Sequence, residues 1–207
     1  MPRIYINGKP LDVTAGENLL TSARLAGIQI PTLCADPRVK PLGACRMCLV
    51  QVEGERRPVA ACSTMVREGM KVETHTPEIE KFRKGLLELL AGGYPAEALR
   101  ETPEKPFHKL LGEYGVACSQ GITATIDDRH PYIRIDLSRC ILCGRCVRIC
   151  EEVQGQFVWS AWGRGDAIEL RAGLASMCYS ACLHQFRNLS RNRDIWSVSI
   201  LWAFPGQ

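Results

Sequence analysis

Four cysteines follow one another at the spacing C-x2-C-x2-C-x3-C, namely Cys140, Cys143, Cys146 and Cys150. This spacing is typical of a [4Fe–4S] site, because a tight loop with a ligand at every third residue can reach three corners of a small cubane. Gly144 keeps that loop slim where the backbone passes close to the cluster sulfides. The alternatives are four unligated thiols or a zinc site, although zinc is usually bound by C-x2-C pairs set far apart.

The fourth ligand of this cluster stays open from the sequence alone. In a two-cluster ferredoxin domain, each cluster takes three cysteines from one run and the last cysteine from the other run. After residue 165 the chain has Cys178 and Cys182, at the spacing C-x3-C, in place of a second full run. The fourth thiolate is then either Cys150, recruited locally, or one of Cys182 and Cys178. We therefore expect this part of the chain to hold one cluster at most.

A second set of four cysteines lies earlier in the chain, at Cys34, Cys45, Cys48 and Cys62. The spacing is C-x10-C-x2-C-x13-C, with a longer first gap than the short plant-type ferredoxin pattern. Three cysteines on one loop and a fourth beyond a strand can meet a flat two-iron rhomb, and Gly43 leaves room for backbone amides to turn toward its sulfurs. We predict a [2Fe–2S] site, and the alternative is a small-residue loop with incidental cysteines.

The residues around this second set predict a small mixed sheet with one helix. Asn7-Gly8 predicts a two-residue hairpin, and Thr14 with Glu17 predicts a capping box at the start of a helix that Gly27 ends. The predicted strands are Arg3–Ile6, Lys9–Val13, Met47–Val52, Pro58–Ala61 and Lys71–Thr74.

Three stretches of this region carry a family resemblance, and they read I-Y-I-N-G-K-P-L-D-V, I-P-T-L-C and G-A-C-R-M-C-L-V-Q-V. They resemble the N-terminal [2Fe–2S] domain shared by the large iron–sulfur subunit of respiratory complex I, an NADH dehydrogenase, and several related proteins. These are the small diaphorase subunit of NAD-linked hydrogenases, iron-only hydrogenases and the alpha subunit of NAD-linked formate dehydrogenases. The resemblance covers Arg3–Thr76 and implies a β-grasp ferredoxin fold.

The middle of the chain predicts a helix over Glu78–Leu90, a charged linker over Tyr94–Pro106 and a short helix over Phe107–Tyr114. Many relatives bind a further [4Fe–4S] cluster here through one His and three Cys, whereas this chain offers only His108 and Cys118. We predict that this site is absent, with His108 solvated or capping a helix and Cys118 an ordinary small apolar residue. This departure favours the formate dehydrogenase branch of the family.

The stretch His130–Trp159 also looks most like the formate dehydrogenase branch, through H-P-Y-I-R-I-D-L-S-R-C and R-I-C-E-E-V-Q-G-Q-F-V-W. It predicts a strand over Ile133–Asp136, a helix over Val147–Gln154 and a strand over Phe157–Trp159. Beyond about residue 165 the chain no longer resembles the family, so we expect a truncated or frame-shifted product. The predicted parts are a [2Fe–2S] ferredoxin-like domain (1–76), a helix and linker (77–129), a [4Fe–4S] ferredoxin-type half-domain (130–165) and an atypical, poorly ordered tail (166–207).

Composition narrows the function further. The net charge of +4 comes without a long basic run, so a nucleic-acid partner is not favoured. The first ten residues lack the apolar segment of a signal peptide, and no apolar run is long enough to cross a bilayer. The 11 cysteines then indicate metal binding in a reducing compartment, and we expect a cytoplasmic protein without direct membrane insertion.

Together these features predict an α+β protein, with a β-grasp [2Fe–2S] domain followed by a partial bacterial-ferredoxin-type [4Fe–4S] domain. The predicted function is electron transfer in a multi-subunit oxidoreductase, and the resemblance implies a formate dehydrogenase with a molybdopterin catalytic domain and a flavin/NAD subunit as partners. An NADH dehydrogenase or NAD-linked hydrogenase is the alternative parent enzyme, and a zinc-binding structural protein is the alternative of another class. The chain has neither a Rossmann fingerprint nor a P-loop, so no complete catalytic site is expected on it.

Overall fold

A computed structural model describes residues 1–118, 126–130, 133–172 and 199–201. The described residues belong to two compact units, one formed by residues 1–35 and 40–87 and the other by residues 36–39 and 88–207. The elements of the first part of the chain are β1 (Arg3–Ile6), β2 (Lys9–Asp12), α1 (Leu19–Leu25), β3 (Leu49–Val52), β4 (Val59–Ala60), β5 (Lys71–Glu73) and α2 (Pro77–Ala91).

The first unit is built on a five-stranded sheet with the order β2-β1-β5-β3-β4. β1 and β5 run parallel, while the other neighbouring strands are antiparallel. Ile4 and Ile6 alternate with exposed residues along β1 and are fully buried, as the period of two in a half-buried strand requires. Leu19 and Ala23 of α1 belong to the same apolar core. This small mixed sheet with a packed helix confirms the predicted β-grasp class.

The turns of this unit follow local sequence signals. Asn7 and Gly8 both have positive φ, at 52° and 76°, as a two-residue hairpin between β1 and β2 requires. Gly27, at φ 72°, ends α1, and the amide of Ile28 donates to the Ala23 carbonyl at 2.9 Å. This is the helix end that a glycine after the last turn predicts.

The predicted capping box at Thr14 and Glu17 is wrong. The N-cap of α1 is Asn18, whose side-chain oxygen accepts a hydrogen bond from the amide of Thr21 at 2.9 Å. The carboxylate of Glu17 accepts instead from the hydroxyl of Ser22. The side-chain acceptor that caps the helix is therefore Asn18, the residue just before the first helical residue, and not Thr14, four residues earlier.

The second part of the chain has short helices and two small sheets. Its sheets have the orders β10-β7-β6 and β8-β9, with antiparallel neighbours throughout. The elements are α3 (Ala96–Glu101), α4 (Pro106–Glu113), β6 (Ile126–His130), β7 (Ile133–Asp136), α5 (Arg145–Arg148), a π-helical turn (Ile149–Val153), β8 (Trp159–Trp162), β9 (Glu169–Ala172) and β10 (Ser199–Leu201).

Several predictions for this part need correction. The charged stretch expected to be a linker contains α3, and Tyr94 and Ala98 within it are buried. The helix expected over Val147–Gln154 begins at Arg145 and turns into the π-helical turn at Ile149, where the chain carries Cys150. Two short strands, β9 and β10, follow residue 165, and most of the stretch 166–207, for which poor order was expected, lies outside the described residues.

His108 is neither solvated nor a helix cap, contrary to the prediction. Its side chain is buried on α4 and packs edge-on against Tyr94. Nδ1 lies 2.6 Å from the carbonyl oxygen of Thr102 and therefore donates to it, while Nε2 lies 2.8 Å from the Tyr94 hydroxyl and accepts from it. The imidazole thus has both ring nitrogens hydrogen-bonded in its neutral form, and burial lowers its pKa.

Within the described ranges, no helix combines the length and the apolar character that spanning a bilayer requires.

The environment of His108 generates a pH prediction. Because burial holds its folded-state pKa below the unfolded value of about 6.5, the neutral ring stabilises the fold above that pH, and this contribution is lost as the pH falls through the folded-state pKa. We expect the ring proton resonance of His108 in nuclear magnetic resonance spectra, assigned through the His108→Gln variant, to titrate below about pH 6.5. A midpoint at or above that value would contradict the buried, neutral assignment.

Candidate iron–sulfur centres

The first cysteine set is assembled by the hairpin of β3 and β4. Cys48 comes immediately before β3, and Cys62 follows β4, so the pairing of these two strands brings the two cysteines together. The amide of Ala61, next to Cys62, donates to the Cys48 carbonyl at 3.0 Å. Cys34 and Cys45 lie on the long loop between α1 and β3. The structure therefore gathers all four predicted ligands in the first unit.

The four thiols form two interacting pairs. The Cys45 thiol hydrogen-bonds to Cys34 and lowers the pKa of Cys34, while the same contact raises the pKa of Cys45. In the other pair, the Cys48 thiol lowers the pKa of Cys62 in the same way. A two-iron rhomb needs this arrangement, because each iron binds two thiolates in addition to the bridging sulfides.

Backbone amides point at these sulfurs, which is the second feature that fits an iron–sulfur cluster. They donate to all four cysteines, and each bond favours the charged thiolate over the thiol. The donors include Ala44 and Cys45 for Cys34, Met47 for Cys45, Cys62 for Cys48, and Gly43 for Cys62. Such bonds stabilise negative charge on cluster ligands and thereby tune a reduction potential.

Backbone strain marks both cysteine loops. Arg46, between Cys45 and Cys48, has φ 55°, and Leu142, between Cys140 and Cys143, has φ 52°. Residues with a side chain adopt this left-handed conformation at a cost of roughly 1–2 kcal/mol, so it persists where the surroundings require it. Each C-x2-C segment thus contains one strained residue, directly after the first cysteine in Cys45–Cys48 and directly before the second cysteine in Cys140–Cys143, which supports a role in turning the chain around a ligand.

The second cysteine set surrounds α5. Cys146 lies on α5, which begins after Gly144 at φ 70°, and Cys143 and Cys146 are both buried. Burial and the nearby Cys143 raise the pKa of Cys140 to about 11. Burial, with Cys143 and Cys140 beside it, likewise raises the pKa of Cys146 to about 12. The thiols of Cys140 and Cys146, whose pKa values burial raises, need a positively charged partner before they can act as thiolates.

Cys150 lies on the π-helical turn and is completely buried. Its sulfur accepts a hydrogen bond from the amide of Val158 at 3.3 Å, and the sulfur of Cys140 accepts from the amide of Leu142 at 3.4 Å. Cys178 and Cys182, the other candidates for the fourth ligand, lie outside the described residues.

An ionic network beside the second set was not predicted from the sequence. The buried carboxylate of Asp36 binds Arg38 at 2.8 Å and Arg145 at 3.0 Å, and Arg145 is the residue before Cys146. The hydrogen bonds from Arg38 hold the pKa of Asp36 far below its usual range. No local pattern could reveal this contact, because Asp36 and Arg145 are 109 residues apart in the chain.

Known families match both regions that carry the cysteines. Residues 2–77 match the 2Fe-2S iron-sulfur cluster binding domain. Residues 130–184 match the ferredoxin-like domain of NADH-quinone oxidoreductase subunit 3. The second match continues past residue 165, where the resemblance was expected to end, and includes Cys178 and Cys182. The predicted fold class and the two predicted cofactors, a [2Fe–2S] and a [4Fe–4S] cluster, are thereby confirmed.

Similar proteins are subunits of larger oxidoreductases. The chain is 39% identical over 163 residues to an NADH-quinone oxidoreductase subunit of Rhizobium meliloti (strain 1021), a match that covers 75% of this chain and 19% of that protein. It is 33% identical over 203 residues to NADPH-Fe(3+) oxidoreductase subunit alpha of Geobacter sulfurreducens (strain ATCC 51573 / DSM 12127 / PCA), covering 88% and 23%. The chain thus spans about a fifth to a quarter of the length of these curated relatives.

A solved structure with a similar fold is the NAD+-reducing [NiFe]-hydrogenase in its H2-reduced state. The TM-score is 0.76 at 29% sequence identity, and the match covers 84% of this chain and 76% of that chain. These similarities confirm the predicted resemblance to the N-terminal iron–sulfur region of the large complex I subunit and its relatives. They support the NADH dehydrogenase and NAD-linked hydrogenase alternative, whereas the formate dehydrogenase assignment stays a prediction.

The pairing of Cys48 with Cys62 generates a direct test of the first centre. We expect Cys48→Ser to abolish or strongly perturb the [2Fe–2S] signal in electron paramagnetic resonance spectra of the reduced chain, because serine removes one thiolate of a pair. Cys118→Ser is the matched control, since Cys118 lies outside both cysteine loops, and it should leave the signal intact. An unchanged spectrum for Cys48→Ser would refute this ligand assignment.

Proposed function

We propose that this chain is the electron-transfer module of a multi-subunit oxidoreductase. Its two cysteine-bearing regions match the 2Fe-2S cluster binding family and the ferredoxin-like domain family of NADH-quinone oxidoreductase subunit 3. The observation that carries the proposal is the joint occurrence of two buried cysteine sets, each with backbone amides directed at its sulfurs. Such sites suit single-electron chemistry, which the clusters supply when bound.

The proposed ligands of the [2Fe–2S] cluster are Cys34, Cys45, Cys48 and Cys62. Their two thiol pairs support this assignment, since each pair can serve one iron. The proposed ligands of the [4Fe–4S] cluster are Cys140, Cys143 and Cys146, together with one of Cys150, Cys178 and Cys182. Cys143 contributes to the raised pKa of both Cys140 and Cys146, and Cys140 contributes to that of Cys146, which supports the grouping of these three residues.

The residues of the chain hold the clusters, shield them and set their charge balance. Cys34, Cys48 and Cys62 are at least 95% buried, so water has little access to their sulfurs. The exclusion of water disfavours negative charge on a cluster, whereas hydrogen bonds from backbone amides stabilise it. The balance of these two effects sets the reduction potential of the cluster. No residue of the chain is proposed to transfer a proton or to bind a substrate.

For the parent enzyme, we propose an NADH dehydrogenase or NAD-linked hydrogenase-like assembly in the cytoplasm. The support is that the similar proteins are an NADH-quinone oxidoreductase subunit, an NADPH-Fe(3+) oxidoreductase subunit and an NAD+-reducing hydrogenase chain. The partner that fits this chemistry is a flavin-containing subunit that exchanges electrons with a nicotinamide nucleotide. A formate-oxidising molybdopterin partner is the second candidate, favoured by the missing His-and-three-Cys site.

Iron content after anaerobic reconstitution of the full chain tests the proposal. One cluster of each kind predicts about six irons per chain, two plus four, with a matching amount of inorganic sulfide. Serine substitution of Cys150, Cys178 and Cys182 in turn then identifies the fourth ligand, because only the ligand's variant should lose the four-iron cluster. About ten irons would mean two intact cubanes, and bound zinc in place of iron would refute the proposed function.

A further inference from the structure

Arg83 is the largest fully buried side chain among the described residues. It lies on α2, in the row Ile79, Arg83 and Leu87, which share one helix face at a spacing of four residues and are all 0% exposed. The two other members of this row, Ile79 and Leu87, are aliphatic, so an aliphatic side chain would also suit position 83. Burying a guanidinium costs free energy unless its charge is paired and its N–H groups are hydrogen-bonded. Even then, a buried ion pair is weak evidence for a gain in stability, so the presence of Arg83 needs another explanation.

The donors of Arg83 are directed at the cysteine loop. Nε donates to the carbonyl oxygen of Met47 at 3.1 Å, and Nη2 donates to the carbonyl oxygen of Leu49 at 2.9 Å. Nη1 forms an ion pair with Glu80 at 2.8 Å, one helical turn earlier on α2. The two carbonyls flank Cys48, which is itself 1% exposed.

The two carbonyl contacts fix the backbone on both sides of Cys48. The Met47 carbonyl belongs to the peptide unit whose amide is that of Cys48, so holding it sets the plane of that peptide. The Leu49 carbonyl fixes the next residue at the start of β3. The loop is thus held from one side by the planar fork of Arg83, while Arg46 on the other side of Met47 adopts a strained left-handed conformation.

We infer that Arg83 is the positioning residue of the [2Fe–2S] ligand loop and that its buried charge raises the reduction potential of that centre. This inference rests on the proposed assignment of Cys48 as a cluster ligand. Reduction adds one electron to the bound centre without making or breaking a bond, so the reduced form carries one more negative charge. A buried cation beside the loop stabilises that form more than the oxidised one, and Glu80, which is partly exposed, offsets part of the effect.

Variants of the full reconstituted chain separate position from charge. Arg83→Met removes both, Arg83→Lys keeps the charge but cannot span two carbonyls with a planar fork, and Glu80→Gln keeps the fork but removes the counter-charge. Lys84→Met is the matched control, because Lys84 is the exposed neighbour of Arg83 on α2. The measurements are the g-values of the reduced [2Fe–2S] signal and its midpoint potential, both from a redox titration followed by electron paramagnetic resonance.

We expect Arg83→Met to change the g-values and to lower the reduced-to-oxidised ratio at a fixed potential by about tenfold, which corresponds to about 59 mV for a one-electron couple. Arg83→Lys should change the g-values and lower the midpoint potential by less than Arg83→Met does. Glu80→Gln should leave the g-values unchanged and raise the potential, and Lys84→Met should change neither quantity. A residue with a purely structural role would alter the unfolding of the chain without moving the potential in opposite directions.

Two results would overturn the inference. One is an Arg83→Met chain with the g-values and potential of the unaltered chain. If Arg83→Met fails to fold, the other two variants decide. Unchanged g-values in Arg83→Lys together with an unchanged midpoint potential in Glu80→Gln would then overturn the inference. A chain without substitutions that shows no [2Fe–2S] signal would refute the proposed function itself, so the two failures are distinguishable.

Discussion

The constraint on which the structure depends is the burial of several thiols at short range. A thiolate is disfavoured by burial and by other thiolates nearby, as the raised pKa values of Cys140 and Cys146 demonstrate. The two cysteine loops combine these closely spaced thiols with a left-handed backbone conformation at Arg46 and Leu142. The left-handed conformation costs free energy in the chain alone, and the buried thiols need a cation beside them before they can ionise, so we expect folding and metal binding to be coupled in these loops.

The parts of the fold that sequence predicted correctly are those determined by local chemistry. Asn7-Gly8 specifies its hairpin and Gly27 specifies a helix end, because each needs a backbone conformation that few residues adopt. The cysteine spacings alone predicted two cluster-binding regions, and known families match both regions. The error at the start of α1 is of the same local kind, since Asn18 and Thr14 are both good capping residues and only the true first turn distinguishes them.

The features that sequence did not reveal depend on residues far apart in the chain. Arg83 contacts carbonyls 34 and 36 positions earlier, and Asp36 contacts Arg145 at a separation of 109 residues. His108 looked like a surface residue because a single histidine in a charged stretch carries no burial signal. The one signal available for Arg83 was an arginine at an apolar position of an amphipathic helix, which is a pattern that indicates a buried, matched charge.

We propose that this chain holds one two-iron and one four-iron centre on separate cysteine sets. Mössbauer spectroscopy of the chain reconstituted with 57Fe tests it most directly, because the spectrum resolves iron by cluster type. We expect two components, with about one third of the iron in [2Fe–2S] clusters and about two thirds in [4Fe–4S] clusters. A single component, or iron bound as isolated ions, would contradict it.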